Sequence, residues 1–101
     1  MRSYVLRTTL TRGKVVGAAV FGDPTHTAGQ KYVAGSADGS GIFKRIWPST
    51  TLLNSYSNVF RSYCAEGDFF CDAGGDLDVH YAEVDTYGQQ AADWIIGLVG
   101  R

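Results

Sequence analysis

The run Val15-Val16-Gly17-Ala18-Ala19-Val20-Phe21 constrains the fold more than any other stretch of the chain. It is apolar throughout, is preceded by Lys14 and stops at Gly22-Asp23-Pro24. Alternating hydrophobicity marks a strand with one wet face. A short continuous run marks a strand covered on both faces, as in a parallel sheet. A buried helix segment is the competing reading, but the run is short and Gly-Asp-Pro is an abrupt stop, which favours the strand. A second strand is expected from Asn58 to Cys64, where Val59-Phe60-Arg61-Ser62-Tyr63 runs into the first cysteine. Between the two strands, residues 22 to 40 read as loop. Ile42, Phe43, Ile46 and Trp47 then form an apolar patch ended by Pro48. Ser49 or Thr50 is placed to cap a short helix through Leu52, Leu53, Tyr56 and Val59. Val84, Tyr87, Ala91, Trp94 or Ile95, and Leu98 then follow helical spacing, with Gln89, Gln90 and Asp93 on the other face. Gly97 and Gly100 weaken the end of this helix. Strands in a parallel sheet with helices between and after them make the class α/β.

Residues 1–13 are poorly defined by sequence. Val5, Leu6 and Leu10 have helical spacing, but Thr8, Thr9 and Thr11 oppose a helix and Gly13 ends the segment. Residues 14–101 read as part of one domain, and 101 residues allow no more than one. Apolar residues at 45% and charged residues at 19% are globular values. A formal net charge of −1 gives no electrostatic reason for a nucleic-acid or anionic-membrane partner. No apolar run approaches the roughly 20 residues of a membrane span. The first residues are too polar for a signal peptide.

The candidate chemistry is concentrated from Tyr63 to Tyr81. Cys64 and Cys71 flank Asp68, and His80 follows that aspartate just before the last helix, in what reads as a loop. In an open α/β sheet, functional side chains gather outside the carboxyl ends of the strands, where this segment begins. Spacing alone leaves the cysteines open between a disulfide, worth roughly 2.5 kcal/mol for so short a loop, and two buried free thiols. They fit no zinc pattern, because no second Cys or His pair completes a tetrahedral set. Asp68 and His80 suit an acid–base pair: an imidazole carries a proton near neutral pH and a carboxylate fixes its tautomer. His26, after Pro24, reads as a polar loop residue. Gly35-Ser36-Ala37-Asp38-Gly39 is not a Gly-x-Ser-x-Gly nucleophile elbow, because serine stands second. A calcium loop built on the acids Asp72, Asp76, Asp78 and Glu83, with Glu83 twelfth from Asp72, fails at Gly74, where an acid or amide is needed, and at Leu77, where glycine is needed.

These residues resemble those of the secreted, fungal-type cutinase and acetylxylan esterase family, compact serine esterases of the α/β-hydrolase class. Val16 to Pro24 is similar to the family's penultimate core strand and its exit. Ala28-Gly29-Gln30-Lys31-Tyr32 and Gly41-Ile42-Phe43-Lys44-Arg45 are similar to the long loop that follows, with lysine at 44 where the family often has proline. Tyr63-Cys64 through Asp68 to Cys71 resembles the disulfide loop around the catalytic aspartate. His80 and Tyr87-Gly88-Gln89-Gln90-Ala91-Ala92 resemble the catalytic histidine and the final helix. The likeness spans residues 14 to 99. It implies a partial α/β-hydrolase, with the last two parallel strands of a three-layer sandwich and its C-terminal helix. It implies Asp68 as triad acid, His80 as general base and a Cys64–Cys71 disulfide. It further implies secretion, no cofactor or metal, and an ester substrate such as cutin, acetylated xylan or small acyl esters.

The family's serine nucleophile and oxyanion-hole donors lie in an N-terminal half that has no counterpart among these residues. A base and an acid without a nucleophile retain neither the covalent step nor the oxyanion stabilisation. The expectation is a chain that holds two of three triad members, is inactive alone, and has that missing half as its partner. A two-stranded parallel sheet would also leave both edges unpaired and the chain marginally stable. The alternative is a non-catalytic remnant that serves as a binding or structural module.

Overall fold

The computed structural model describes residues 2–7 and 15–100. The apolar run forms β2 (Val15–Phe21), flanked by β1 (Arg2–Arg7) and by β4 (Phe60–Tyr63), with the two-residue β3 (Val33–Ala34) beyond. The sheet order is β1-β2-β4-β3. β2, β4 and β3 are parallel, with Phe21 opposite Tyr63 and Ala34 also opposite Tyr63. β1 is antiparallel to β2, with Val5 opposite Ala18. The expected parallel pair is therefore present, and the α/β class holds. The two-stranded sheet does not: β1 covers one edge of β2, and β3 covers the far side of β4. The Val5 and Leu6 segment is strand rather than unassigned chain. Leu10, Thr8, Thr9, Thr11 and Gly13 lie outside the described residues.

β2 does not have two fully covered faces. Gly17, Ala19 and Phe21 are buried, while Val16, Ala18 and Val20 on the opposite face are only half-buried. The buried face is the one that meets α3 (Glu83–Val99), whose Ala91, Ile95 and Leu98 are buried. Ala19, Phe21, Tyr63, Ala91 and Ile95 form the core, with Phe21 and Tyr63 stacked at 5.4 Å between ring centroids. Gly17 permits this approach, since a methyl group there would lie 2.6 Å from Leu98 Cδ1. The guanidinium of Arg61 lies 4.5 Å from the ring centroid of Trp94, a cation–π contact.

α1 (Ser49–Asn54) forms where a short helix is expected, but it ends before Tyr56 and neither Ser49 nor Thr50 caps it. Pro48 occupies the capping position, and Ser49 Oγ instead takes the Arg45 guanidinium at 3.3 Å. α2 (Leu77–Tyr81) replaces the loop expected before the last helix. Asp76 caps it by accepting the Val79 N–H at 3.1 Å.

Candidate active site

The site lies at the carboxyl ends of β2 and β4. β4 ends at Tyr63, and the next residue, Cys64, is joined to Cys71 by a disulfide, which resolves the choice between disulfide and free thiols. The loop it closes is tied a second time through backbone. Phe69 N–H donates to Asp76 O at 3.2 Å, and Asp76 N–H donates to Gly67 O at 3.0 Å. Asp72 adds two more links, accepting Gly39 N–H at 2.7 Å and Gly67 N–H at 2.9 Å. The result is a rigid turn whose centre, Asp68, has no solvent exposure.

Asp68 and His80 are brought together. His80 Nδ1 lies 3.1 Å from Oδ1 and 3.0 Å from Oδ2 of Asp68. Because a carboxylate only accepts, Nδ1 carries a proton, so in the neutral imidazole the lone pair is on Nε2. Oδ1 also accepts N–H groups from Phe70 at 2.8 Å and Cys71 at 3.1 Å. Burial works against the charge of Asp68. Hydrogen bonds from Glu83, from the Cys71 and Phe70 N–H groups and from His80 outweigh it and hold the carboxyl below its usual range. The imidazole packs on Phe70, 4.5 Å between centroids, and Tyr81 lies edge-on at 5.6 Å. Gly22, at a φ of 66°, sits against the Cε1–Nδ1 edge of the ring. Among the described residues no side chain bonds Nε2, and the His80 side chain is 11% exposed.

His26 is not the polar loop residue its sequence context suggests. It is 2% exposed, and its Nδ1 lies 2.7 Å from Ser62 Oγ. Burial lowers its pKa, against the raising effect of Asp23, Asp72 and Asp68. Ser36 is likewise structural: its hydroxyl accepts Glu66 N–H at 2.9 Å and lies 3.2 Å from Tyr87 Oη. The acids weighed as a calcium loop do not converge. Asp72 ties two loops, Asp76 caps α2, and Glu83 is buried at 2% exposure beside Asp68. Cys64, Cys71 and Glu83 lie close enough together to suggest metal ligands. Both sulfurs are committed to the disulfide, so they offer no thiolate.

A family model described as cutinase matches residues 5–99. The chain belongs to the cutinase family. An acetylxylan esterase of Hypocrea jecorina is 38% identical over 89 residues, which are 85% of this chain and 28% of that protein. The catalytic core domain of an acetyl xylan esterase from Trichoderma reesei superposes with a TM-score of 0.64 at 30% identity, covering 79% of this chain and 37% of that one. A second acetylxylan esterase structure, at 0.90 Å resolution, gives a TM-score of 0.69 at 28% identity, covering 82% and 39%. The cutinase-family chain thus spans under two fifths of each relative. No helix among its described residues is long and apolar enough to cross a membrane.

Sequence reasoning weighed Glu83 only as the last ligand of a failed calcium loop and missed its burial beside Asp68. Its one visible signal is position: it lies four residues before Tyr87 and eight before Ala91, on the border of the apolar stripe of α3.

Proposed function

We propose that this chain carries the acid–base part of a carboxylic-ester hydrolase, with His80 as general base and Asp68 as the carboxylate that orients it. One observation carries the reading: a fully buried carboxylate grips Nδ1 of a partly exposed histidine and leaves Nε2 free to take a proton. In such a mechanism a serine hydroxyl gives its proton to Nε2 as its oxygen attacks the ester carbonyl. Asp68 then stabilises the imidazolium, and the proton passes to the departing alcohol. Membership of the cutinase family supports ester chemistry, and the printed names of the relatives support an acetylated xylan as substrate. The disulfide fits an oxidising compartment, hence secretion.

The nucleophile is the finer part of the proposal. Among the described residues, Ser62 faces His26, Ser36 faces Tyr87, and no serine reaches His80. The serine and the oxyanion donors are therefore assigned to a further part of the catalytic domain, and these 101 residues are expected to be inactive alone. The test is hydrolysis of p-nitrophenyl acetate by this chain, with His80→Ala as control. Activity equal to the control is expected. Saturable turnover that disappears in His80→Ala would mean that a serine of this chain attacks. Joining the chain to an upstream in-frame segment that contains Gly-x-Ser-x-Gly should give activity that depends on His80. A joined protein that binds an acetylated glycan without cleaving it would favour the binding-module reading.

A further inference from the structure

Glu83 stands at the first turn of α3, 2% exposed, against the buried side of the Asp68–His80 pair. Its Oε2 accepts the Ala65 N–H at 2.9 Å and lies 3.4 Å from Cys71 Sγ, which has no proton to give because it is in the disulfide. Its Oε1 is buried with no donor directed at it. Yet the two buried carboxyls converge on Cys71, whose N–H donates to Asp68 Oδ1 at 3.1 Å and whose Sγ meets Glu83 Oε2, and a hydrogen bond to the other contributes to the pKa shift of each. Two carboxylate groups cannot share that contact as acceptors only; one of them holds a proton.

The donor sets decide which one. Asp68 receives N–H groups from Phe70, Cys71 and His80, all of which favour its anion. Glu83 receives one, from Ala65. The start of a helix favours an anion at Glu83, but modestly, and burial beside a second carboxylate opposes it. With Oε2 occupied as an acceptor, the proton belongs on Oε1, which satisfies the otherwise orphaned atom. We propose that Glu83 is a neutral carboxylic acid whose Oε1–H donates to the Asp68 carboxylate, making it a positioning residue that holds Asp68 for His80. Its catalytic consequence rests on the acid–base reading of Asp68 and His80; its protonation does not. Among the described residues, Asp68 is the charged group acting on Glu83, and its other polar neighbours, Ala65 N–H and the disulfide sulfur, do not titrate. Burial, followed by the Asp68 hydrogen bond, pushes the Glu83 pKa up to about 8.

The sequence contains two glutamates, Glu66 and Glu83, so carboxyl-¹³C glutamate labelling of the full chain gives two signals. One is expected to titrate near pH 8, far above the ordinary glutamate range, and to vanish in Glu83→Gln. Both signals titrating in the ordinary range would overturn the proposal, whatever the chain does to esters. The low-field proton resonance of His80 Nδ1–H gives a second readout. It is expected to persist in Glu83→Gln, whose amide still donates to Asp68, and to be shifted or lost in Glu83→Ala. An unchanged resonance in a folded Glu83→Ala would overturn the positioning role, as would its loss in a folded Glu83→Gln.

Discussion

Gly22→Ala is the perturbation that most directly separates His80 from Asp68. Gly22 follows β2, has a φ of 66°, and its N–H donates to Tyr63 O at 3.0 Å, which extends the β2–β4 ladder by one bond. The backbone is therefore pinned where an alanine would need it to move. A methyl group at this position would lie 2.6 Å from both Cε1 and Nδ1 of His80, well inside contact distance. Something must give, and the partly exposed imidazole is freer than the ladder. Moving it outward lengthens the bond to Asp68. A side chain in left-handed backbone costs about 1–2 kcal/mol, and a lost charge-assisted hydrogen bond costs about 1.5–3 kcal/mol. The sum is about 2.5–5 kcal/mol. Gly29→Ala is the internal control: its φ is 76°, but a methyl there meets nothing within 4 Å, so only the backbone cost of about 1–2 kcal/mol applies. Denaturant unfolding of both variants, read at unchanged m-value, gives the two costs. The proton spectrum of His80 reports whether Nδ1 still bonds Asp68. Equal destabilisation by the two substitutions, with the His80 resonance intact in Gly22→Ala, would refute the argument that Gly22 exists to seat the imidazole.

Other outcomes follow from the same geometry. Replacing Cys64 and Cys71 by alanine should cost about 2.5 kcal/mol by chain entropy for a closed loop of this length, and thermal melts with and without reductant measure it; a melting temperature unmoved by reductant would sink this account. Asp72→Ala leaves the part-buried Gly39 and Gly67 N–H groups without their acceptor, and because water can partly replace it a loss of about 1 kcal/mol per donor is expected, the low end of the cost of a buried one, with Asp72→Asn milder because its carbonyl replaces one acceptor. The raised Glu83 pKa fixes a pH dependence. Its folded value of about 8 exceeds the ordinary 4.5, so its contribution is full below pH 4.5 and is lost as pH rises to about 8. The slope in that window is up to about 1.4 kcal/mol per pH unit, and stability measured across it should flatten in Glu83→Gln; an equal slope in both proteins would contradict the assignment. In an active protein that includes the nucleophile, Asp68→Asn should lower kcat by roughly 10⁴, as expected when the imidazole is turned to the wrong tautomer.

What could be read from the chain depended on how local each signal was. α3 was legible because Val84, Tyr87, Ala91, Ile95 and Leu98 repeat over several turns. β2 was legible from its apolar run, but the run overstated its burial: small Ala and Gly residues close one face on α3 while the other stays half-covered. β3 spans two residues and β1 is held by pairing rather than by pattern, so neither left a periodic trace. α2 is too short for periodicity, although Asp76 before Leu77-Asp78 has the chemistry of an N-cap. His26 and Glu83 were misjudged for one reason: polar residues are buried here by partners far away in sequence, Ser62 for one and Asp68 for the other. Asp68 and His80 were already candidates for an acid–base pair by residue type and position, and resemblance to a family added the expectation of triad roles.

The segment from Ala65 to His80 behaves as one mechanical unit, and this decides how the site fails. The disulfide closes its first half, the Gly67–Asp76 backbone link carries it into the cap of α2, and α2 delivers His80 back onto Asp68. Asp68 and His80 are thus set against each other chiefly by this segment, while the end of β2 contributes Gly22 against the Cε1–Nδ1 edge of the ring. Opening the disulfide should loosen Asp68 and leave the Gly22 contact with His80 intact. Gly22→Ala does the reverse, displacing His80 while the Phe70 and Cys71 N–H groups still hold Asp68. Because the two perturbations act on different partners of one bond, combining them should cost less than the sum of their separate effects. The shortfall measures the part of the His80–Asp68 bond that both perturbations remove; strict additivity would mean that the disulfide acts only through the unfolded chain.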